Sequence, residues 1–380
     1  MSAANVTIRP VTSKADRASF IEVAFALNRS DPNWSPPLRS EVKGLVDPDE
    51  NPWFEHAEAQ LFLAERDGAA VGRISAQVDQ LVLEHMGEGT GQWGMFEAAD
   101  AEVAAALIAA AEGWLKGKGM TRSVGPFSLS IWDEPGLLVF GHDHPPTVMM
   151  GHHNPAYQGW VEAAVYAKVQ DLSTYEIDVG IGLPPLIDRI VASGERGGRI
   201  KVRKVDLKRY DEEAALVLHL LNDAWSGNWG FIPLTDAEKT YGGRKLKPMM
   251  YADLVRVAEL DGEPVAFMMA VPNMNELIRD FDGHLFPFNW AKLLWRLRKL
   301  KVETMRVPLM GVARRLQSSR LASQIAFMMI EYIRRAGVEK YGARRTEIGW
   351  VLEDNQGMRS IADTIGSKVN KIYRVYEKAL

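Results

Sequence analysis

The most polar segment of the chain, Trp132–His153, holds side chains suited to acid–base chemistry. Half of the chain's eight histidines lie in it, together with three carboxylates; the members are Asp133, Glu134, His142, Asp143, His144, His152 and His153. Because imidazole titrates near neutral pH, a histidine in a cleft can remove a proton from a substrate. The pattern predicts the wall of a catalytic cleft in which a histidine, His153, is the general base.

The same segment has two other interpretations. A metal site would need several histidines to converge, but His152 and His153 are adjacent, and neighbouring side chains of a strand face opposite ways. We therefore predict no metal. Turn signals at Pro135-Gly136 and Pro145-Pro146 are also typical of a surface loop with solvated histidines. The residues alone leave the cleft and the surface loop open.

A second segment, 284–301, combines an apolar stripe with basic residues. The stripe recurs at helical spacing and consists of Trp290, Leu293, Leu294, Leu297 and Leu300, while lysines and arginines lie mostly off it. Phe286, Phe288 and Trp295 add aromatic side chains beyond the stripe. A basic amphipathic helix with aromatic margins is typical of a peripheral membrane contact. The alternative is an ordinary helix that covers a core.

Two copies of one element pattern must position these segments. The stretch Ala64–Val71 resembles Ala258–Val265, and Val6–Arg9 resembles Ile200–Arg203, each pair 194 residues apart. So long a period indicates a duplicated domain rather than a solenoid. Two similar halves create a cleft between them, and ligand sites favour such clefts.

Each half has the same predicted order of elements, with a hairpin at an Asp-Gly pair. The elements of the first half are Val6–Pro10, Lys14–Leu27, Ala59–Glu65, Ala70–Val78, Gln92–Phe96, Ala101–Gly117 and a strand ending near Glu176. Those of the second half are Ile200–Val205, Asp211–Trp225, Leu254–Leu260, Pro264–Val271, Glu303–Val312, Ser318–Ala336 and a strand ending near Glu377. This predicts an α/β protein, α+β with a mixed sheet, in two tandem domains (1–178 and 199–380) joined by a linker (179–198).

Composition excludes several kinds of site. The chain has no cysteine, which excludes disulfides, Fe–S clusters and cysteine nucleophiles. Its net charge of −4 argues against a nucleic-acid partner. The first residues lack the pattern of a signal peptide, and no uncharged apolar run approaches the roughly 18 residues that a spanning helix needs. We expect a cytoplasmic protein, peripheral at most to the inner face of the membrane.

The segment Gly311–Ala322 places a strand, a loop and a helix start in one order. Its loop reads Gln317-Ser318-Ser319-Arg320-Leu321-Ala322. Together with the element order, this resembles the GCN5-related N-acetyltransferase family, whose loop reads Gln/Arg-x-x-Gly-x-Gly/Ala. Free amides at a helix N-terminus, with the helix dipole, suit a pyrophosphate. The resemblance implies two acetyltransferase-like domains and acyl-CoA as co-substrate.

The resemblance places the coenzyme in the second half. The implied site consists of Leu309, Met310, Gly311, Val312, Gln317, Ser318, Ser319, Arg320, Leu321, Ala322 and, at the next helix, Asn355. Arg320 stands where the family has glycine, and its guanidinium could pair with a phosphate directly. The corresponding part of the first half is acidic, with Glu97, Asp100 and Glu102, and has no glycine-rich loop. We therefore predict that the first half is a degenerate copy.

The resemblance also implies catalytic groups, because in this family a thioester lies beside an amine. Backbone amides of Gly311 or Val312 would polarise the thioester carbonyl. Glu303, on the motif strand, is a candidate base, with a solvated carboxylate as the alternative. The tyrosine acid of the family would fall at Ala362, so Tyr376 on the closing strand is the candidate acid.

With its basic helix and duplicated fold, the chain resembles the bacterial ceramide synthases. That resemblance implies an acyl-CoA-dependent N-acyltransferase that transfers a fatty acyl group to the amine of a sphingoid base. Two alternatives stay open: a small-molecule N-acetyltransferase that uses acetyl-CoA, and a non-catalytic acyl-CoA-binding module. Neither the acyl chain length nor the acceptor follows from the residues.

Overall fold

A computed structural model describes residues 5–317 and 319–380. The strands are β1 (Thr7–Pro10), β2 (Ala57–Arg66), β3 (Ala69–Asp79), β4 (Thr90–Ala98), β5 (Arg122–Gly125), β6 (Leu137–Phe140), β7 (Ala167–Asp178), β8 (Ile200–Lys204), β9 (Val255–Leu260), β10 (Glu263–Pro272), β11 (Thr304–Val312), β12 (Arg345–Leu352) and β13 (Lys368–Ala379). The helices are α1 (Lys14–Asn28), α2 (Arg39–Leu45), α3 (Gln80–Met86), α4 (Ala101–Gly117), α5 (Ala156–Ala163), α6 (Pro185–Gly197), α7 (Tyr210–Trp225), α8 (Asp236–Leu246), α9 (Asn275–Ile278), α10 (Asn289–Arg298), α11 (Arg320–Ala336) and α12 (Gln356–Thr364). The predicted order of elements is confirmed in both halves.

The two predicted hairpins close where the Asp-Gly pairs stand. Asp67 and Gly68 have φ values of 53° and 79°, and Asp261 and Gly262 have 52° and 89°. Aspartate and glycine tolerate this left-handed region, which matches the twist of the flanking strands. The turns join β2 to β3 and β9 to β10 as antiparallel pairs.

The strands form one mixed sheet whose order crosses between the halves. The order is β1-β2-β3-β4-β5-β13-β7-β12-β11-β10-β9-β8, and β6 pairs with β13. The last strand of the second half, β13, therefore lies between β5 and β7, and β7 lies between β13 and β12. Each closing strand thus pairs with the penultimate strand of the other half. The domain boundaries at 178 and 199 fall beside β7 and β8 and stay a prediction.

The long helices α4 and α11 bury one apolar face against the sheet in each half. Leu107 and Ala111 of α4 lie in the first-half core, and Ile325 and Met329 of α11 lie in the second-half core. In both helices these side chains recur at helical spacing, which is why the sequence pattern predicted the two elements closely.

The predicted apolar stripe of 284–301 is partly buried against the core and partly exposed to solvent. Leu293 and Leu297 pack against the second-half core, and Leu300 is buried in it. The other apolar side chains are exposed and form what we call the aromatic patch: Phe286, Phe288, Trp290, Leu294 and Trp295. The prediction of one stripe was therefore wrong in detail, because α10 uses one face for the core and leaves a second apolar face uncovered. Within the described residues, no helix is both long and apolar enough to cross a membrane.

Candidate functional site

The motif strand β11 parts from its parallel neighbour β12 partway along its length. The two strands pair in register as far as Val307 and Ile348, beyond which β11 keeps its partner β10. Its register with β10 shifts opposite Ala270, where β11 has the two residues Val307 and Pro308. Such a bulge bends a strand and tolerates proline. The two strands therefore separate along the C-terminal part of β11, and we call the space between them the β11–β12 gap.

Backbone groups of Met310 and Val312 face this gap. The indole Nε1 of Trp225 donates to the Met310 carbonyl (2.9 Å), and Gln317 Nε2 donates to the Val312 carbonyl (2.9 Å), so both carbonyls point away from β10. Backbone groups of neighbouring strand residues point to opposite sides. The amide of Val312 therefore faces the gap, whereas that of Gly311 faces β10. Of the two predicted amides, Gly311 or Val312, the geometry therefore favours Val312.

The loop after β11 leads into the N-terminus of α11, as the motif predicts. Ser319 caps the helix, because its side chain accepts a hydrogen bond from the Ala322 amide (3.2 Å). This cap satisfies the amide of Ala322. The amides of Arg320 and Leu321, in the first turn, have no acceptor within the helix. Ser318, at the centre of the predicted site, lies outside the described residues.

Three exposed arginines surround the loop, and only Arg320 among them was a predicted site residue. Arg314 and Arg315 also lie at the surface. Arg314 donates to Ser226 Oγ (3.2 Å), and Arg315 pairs with Glu263 (2.8 Å). Because guanidinium groups bind phosphate oxygens well, this rim suits a polyphosphate. The signal was available in the sequence as two consecutive arginines just before the motif loop.

The corresponding gap of the first half is filled by its own chain. Beyond the paired part of β4 and β5, the Phe127 amide donates to the Trp93 carbonyl (2.8 Å). Phe127 comes so close that a Cβ added to Gly94 would lie 1.6 Å from its carbonyl oxygen. Asp100 caps α4 and pairs with Arg66 (2.6 Å), so an acid occupies the helix start. These contacts support the prediction of a degenerate first copy.

The polar segment contributes two side chains to a cleft at Gly151. A Cβ added to Gly151 would lie 2.9 Å from His153 Cε1, 3.4 Å from His153 Nε2 and 3.7 Å from Glu134 Oε2, so an imidazole and a carboxylate both lie close to this glycine. The Tyr373 hydroxyl of β13 donates to the Gly151 carbonyl (3.0 Å) and anchors this position. We call Glu134, Gly151 and His153 the Gly151 cleft. The described histidines and carboxylates form no group able to hold a metal ion.

The same desolvation shifts both titratable groups of the cleft. It raises the pKa of Glu134, against the opposing charge of Arg73. Glu134 is nevertheless exposed to water. The surrounding protein displaces part of the bulk solvent around it, as at the floor of a cleft. Desolvation lowers the pKa of His153 to about 3, and the Leu138 amide donates to its Nδ1 (3.1 Å). The neutral ring therefore carries its proton on Nε2, which makes His153 a hydrogen-bond donor and does not fit the predicted base.

The backbone around the cleft is strained at three non-glycine residues. Leu129, Glu134 and Met149 have φ values of 85°, 38° and 66°. Each such conformation costs on the order of 1–3 kcal/mol, and the surrounding structure must enforce it. Outliers of this kind cluster at functional sites, which supports a function for the segment that carries Glu134.

An aromatic stack connects the Gly151 cleft to the β11–β12 gap. The ring of Trp132, two residues before Glu134, stacks on Trp225 with centroids 6.1 Å apart and planes inclined by 4°. Trp350 of β12 contacts Trp225 at 5.9 Å. Because Trp225 also donates to the Met310 carbonyl, the stack runs from the motif strand of the second half to the polar segment of the first.

The structure does not bring Glu303 or Tyr376 to the gap. Glu303 lies at the opposite end of β11 from the loop, where it is exposed and pairs with Arg345 (2.9 Å). Tyr376 is buried in the first-half core, and its hydroxyl donates to Glu162 (3.1 Å). Burial raises the pKa of this tyrosine. Their roles as base and acid therefore have no support from position.

Asn355 and Ala362, at helix α12, have structural roles. Asn355 caps α12 by accepting a hydrogen bond from the Met358 amide (3.1 Å), so its predicted contact with the coenzyme stays a prediction. Ala362, at the position of the family's tyrosine, is completely buried. An acid for the departing thiolate would have to come from another element.

Comparison with known proteins places this geometry in a family. No protein-family model matches the chain. The bacterial ceramide synthase of Caulobacter vibrioides is 45% identical over 380 residues, covering 99% of this chain and 98% of the relative. Protein YghO of Escherichia coli is 39% identical over 378 residues, covering 98% and 95%.

Solved structures show the same fold at low sequence identity. A tandem GNAT protein from the clavulanic acid biosynthesis pathway matches with a TM-score of 0.58 and 12% identity, over 99% of this chain and 98% of that one. A GCN5-related N-acetyltransferase from Sphaerobacter thermophilus matches with a TM-score of 0.53 and 13% identity, over 98% and 95%. The chain therefore belongs to the family of the bacterial ceramide synthase, and it is an N-acyltransferase built on a tandem acetyltransferase fold.

Proposed function

We propose that the chain transfers a fatty acyl group from acyl-CoA to the amine of a sphingoid base. The observation that carries the proposal is the open β11–β12 gap beside three exposed arginines, in a chain 45% identical to a ceramide synthase. The equivalent gap of the first half is filled by Phe127, which supports one acyl-CoA for each chain.

The elements of the second half suit the parts of acyl-CoA in order. The pantetheine arm would run along the edge of β11 at the Val312 amide as an additional strand would, beside the carbonyls that Trp225 and Gln317 already bind. The diphosphate would lie at the start of α11, where Arg320 and the helix dipole favour negative charge. The Val312 amide would stabilise the oxyanion that develops on the thioester carbonyl. Much of the rate would come from holding thioester and amine together.

A membrane surface is the proposed source of both lipid substrates. In the aromatic patch, Phe286, Phe288 and Trp295 are 73%, 80% and 67% exposed. Such side chains are costly in water and suit the interface of a bilayer. Arg296 pairs with Asp280 (2.7 Å), so part of the basic face is already neutralised and the apolar side chains would supply most of the binding.

The position of the patch also suits delivery of a lipid amine. Asn275, in α9 beside α10, donates to the Pro146 carbonyl (2.9 Å) of the polar segment. Asn33 of the first half donates to the His142 carbonyl (3.2 Å) of the same segment. The bond of Asn275 therefore joins α9, which packs beside α10, to the segment that carries Glu134 and His153.

Charge reversal at Arg320 tests the coenzyme site. Arg320→Glu replaces a phosphate partner with a carboxylate, and we expect palmitoyl-CoA to bind at least about 10-fold more weakly, the loss of one charge-assisted contact. Titration calorimetry with the intact chain measures this. The matched control is Arg189→Glu on the exposed face of α6, which should bind palmitoyl-CoA normally. Equal affinity of both variants would contradict the proposed diphosphate position.

The same titration, together with an assay of coenzyme A release, tests the two alternative functions. A small-molecule N-acetyltransferase should bind acetyl-CoA as tightly as palmitoyl-CoA, whereas the proposed enzyme should gain affinity with chain length, since each buried methylene contributes about 0.8 kcal/mol. A binding module would take up palmitoyl-CoA but release no coenzyme A in the presence of sphinganine.

A further inference from the structure

We propose that Glu134 of the first half is the catalytic base of the acyl transfer, so that the half without a coenzyme supplies the carboxylate that binds the acceptor's ammonium and removes its proton. The inference rests on the proposed function and adds the residue that receives the amine. It also explains why a filled, degenerate copy keeps a strained polar segment against the gap of the other half.

The first support is that Glu134 is an accessible carboxylate without a partner cation. The ion pairs within the described part of the chain do not include it. Its recorded hydrogen bond, from Ser128 Oγ, is long at 3.5 Å. A hydrogen-bonded cation stabilises a carboxylate that is partly removed from water, and an alkylammonium group can serve as that cation. Gly151 has no side chain, and it lies between this carboxylate and the His153 ring.

The second support comes from the groups that face Glu134 from the surrounding elements. His153 lies across Gly151 as a neutral donor. Burial raises the pKa of Tyr373 on β13, and the charge of Glu134 raises it further. Desolvation raises the pKa of Glu134, and the charges of Arg73 on β3 and Arg306 on β11 oppose that rise.

The third support is that neighbouring carboxylates are engaged elsewhere. Asp133 accepts a hydrogen bond from Ser130 Oγ (2.8 Å) within its own turn. Glu97 is buried and accepts one from the Tyr157 hydroxyl (2.8 Å). Glu134 therefore differs from both in being exposed and without a close partner.

The proposed step is balanced as follows. The Glu134 carboxylate takes one proton from the acceptor's ammonium, and the free amine attacks the thioester carbonyl. A C–N bond forms, the carbonyl electrons return, and the C–S bond breaks. The thiolate leaves with the second nitrogen proton as coenzyme A thiol, and Glu134 releases the first proton to water.

Glu134→Gln tests the proposal in the intact enzyme. With palmitoyl-CoA and sphinganine in mixed micelles, we expect kcat to fall by at least about 100-fold, the usual contribution of a general base. The acidic limb of the pH–rate profile should disappear, while palmitoyl-CoA affinity should stay within about twofold, since the base does not touch the coenzyme. Asp143→Asn is the matched control from the same segment, where the carboxylate is exposed and pairs with His144.

The outcomes separate the two proposals. A Glu134→Gln enzyme that keeps more than about a third of its kcat and its acidic limb would overturn the assignment while leaving the acyltransferase function intact. A wild-type enzyme that acylates no long-chain amine would instead count against the proposed function. If Glu134→Gln does not fold, Glu134→Asp decides: it keeps a base, so a slower enzyme with its acidic limb retained supports the role, and an unchanged rate overturns it.

Discussion

The imidazole of His153 and the carboxylate of Glu134 respond to the same desolvation in opposite directions. Removing water disfavours the charged form of each group, so the pKa of the histidine falls to about 3 and that of the glutamate rises. The predicted base, His153, is therefore held neutral, and the proposal above assigns the base to the carboxylate of Glu134 instead. Protonation state depends on how much protein surrounds a side chain, which residue spacing does not reveal.

The shifted histidine predicts how acid affects stability. The folded pKa of His153 lies below the ordinary value of 6.5, so between about pH 6.5 and 3 the unfolded chain binds a proton that the folded chain does not. Stability should fall with decreasing pH in that window, by at most about 1.4 kcal/mol per unit from this group. His153→Asn keeps an acceptor for the Leu138 amide and should lose free energy of unfolding less steeply between pH 6 and 4.

Urea unfolding at several pH values measures these slopes. The control is His219→Asn, at an exposed histidine of α7, which should change the slope less than His153→Asn does. Parallel curves for His153→Asn and the wild-type chain would contradict the assignment of a buried neutral histidine.

At the scale of the element, α10 shows how one helix can have two apolar faces. Leu293 and Leu297 cover the core, while Leu294 and Trp295 on the next positions are 54% and 67% exposed. Hydrophobic spacing predicted the helix because both faces follow its period. Which face is covered depends on α9 and the neighbouring strands, and these lie elsewhere in the chain.

The exposed face predicts binding to lipid. Replacing Trp295 with Glu removes a side chain that would enter the interface, and we expect at least about 10-fold weaker binding to vesicles of phosphatidylglycerol and phosphatidylcholine, since burying such a side chain contributes roughly 1.5–3 kcal/mol. Co-sedimentation measures this. Ile181→Glu, at an apolar side chain 83% exposed outside the patch, should bind as the wild type does. Two variants that bind vesicles equally well would exclude the patch as the membrane contact.

At the scale of the whole molecule, the exchange of β7 and β13 makes the halves interdependent. Tyr373 and Tyr376, on β13, are almost fully buried, and Tyr376 belongs to the core of the first half. Removing β13 would leave the edges of β5 and β7 unpaired and a large void in that core. The duplicated sequence predicted two domains, whereas the strand order joins them into one sheet.

This crossing predicts that the halves fold together. Residues 1–178 expressed alone should lack a cooperative unfolding transition by circular dichroism, because they lack the strand that completes their sheet. Co-expression with residues 179–380 should restore a complex that elutes at the size of the intact chain. A first half that unfolds cooperatively by itself would show that β13 is dispensable and that the predicted boundary separates independent domains.

Local signals in the sequence determined the elements of this protein and their repetition. The Asp-Gly turns, the helical periods of α4 and α11 and the loop at Gln317 depend on neighbours within a few residues, so spacing alone predicted them. Two arginines of the loop, Arg314 and Arg315, could have been found in the same way. The resemblance to a known family then provided the fold and the place of the coenzyme.

The tertiary structure decided which parts of the two halves form one site. Phe127 fills one gap while the other stays open, and Trp132 of the first half stacks on Trp225 of the second. These contacts join residues far apart in the chain, and no local period encodes them. The same holds for Glu134, whose spacing resembles that of any loop carboxylate. Its surroundings are set by Gly151 and His153 and by the strand that crosses from the second half.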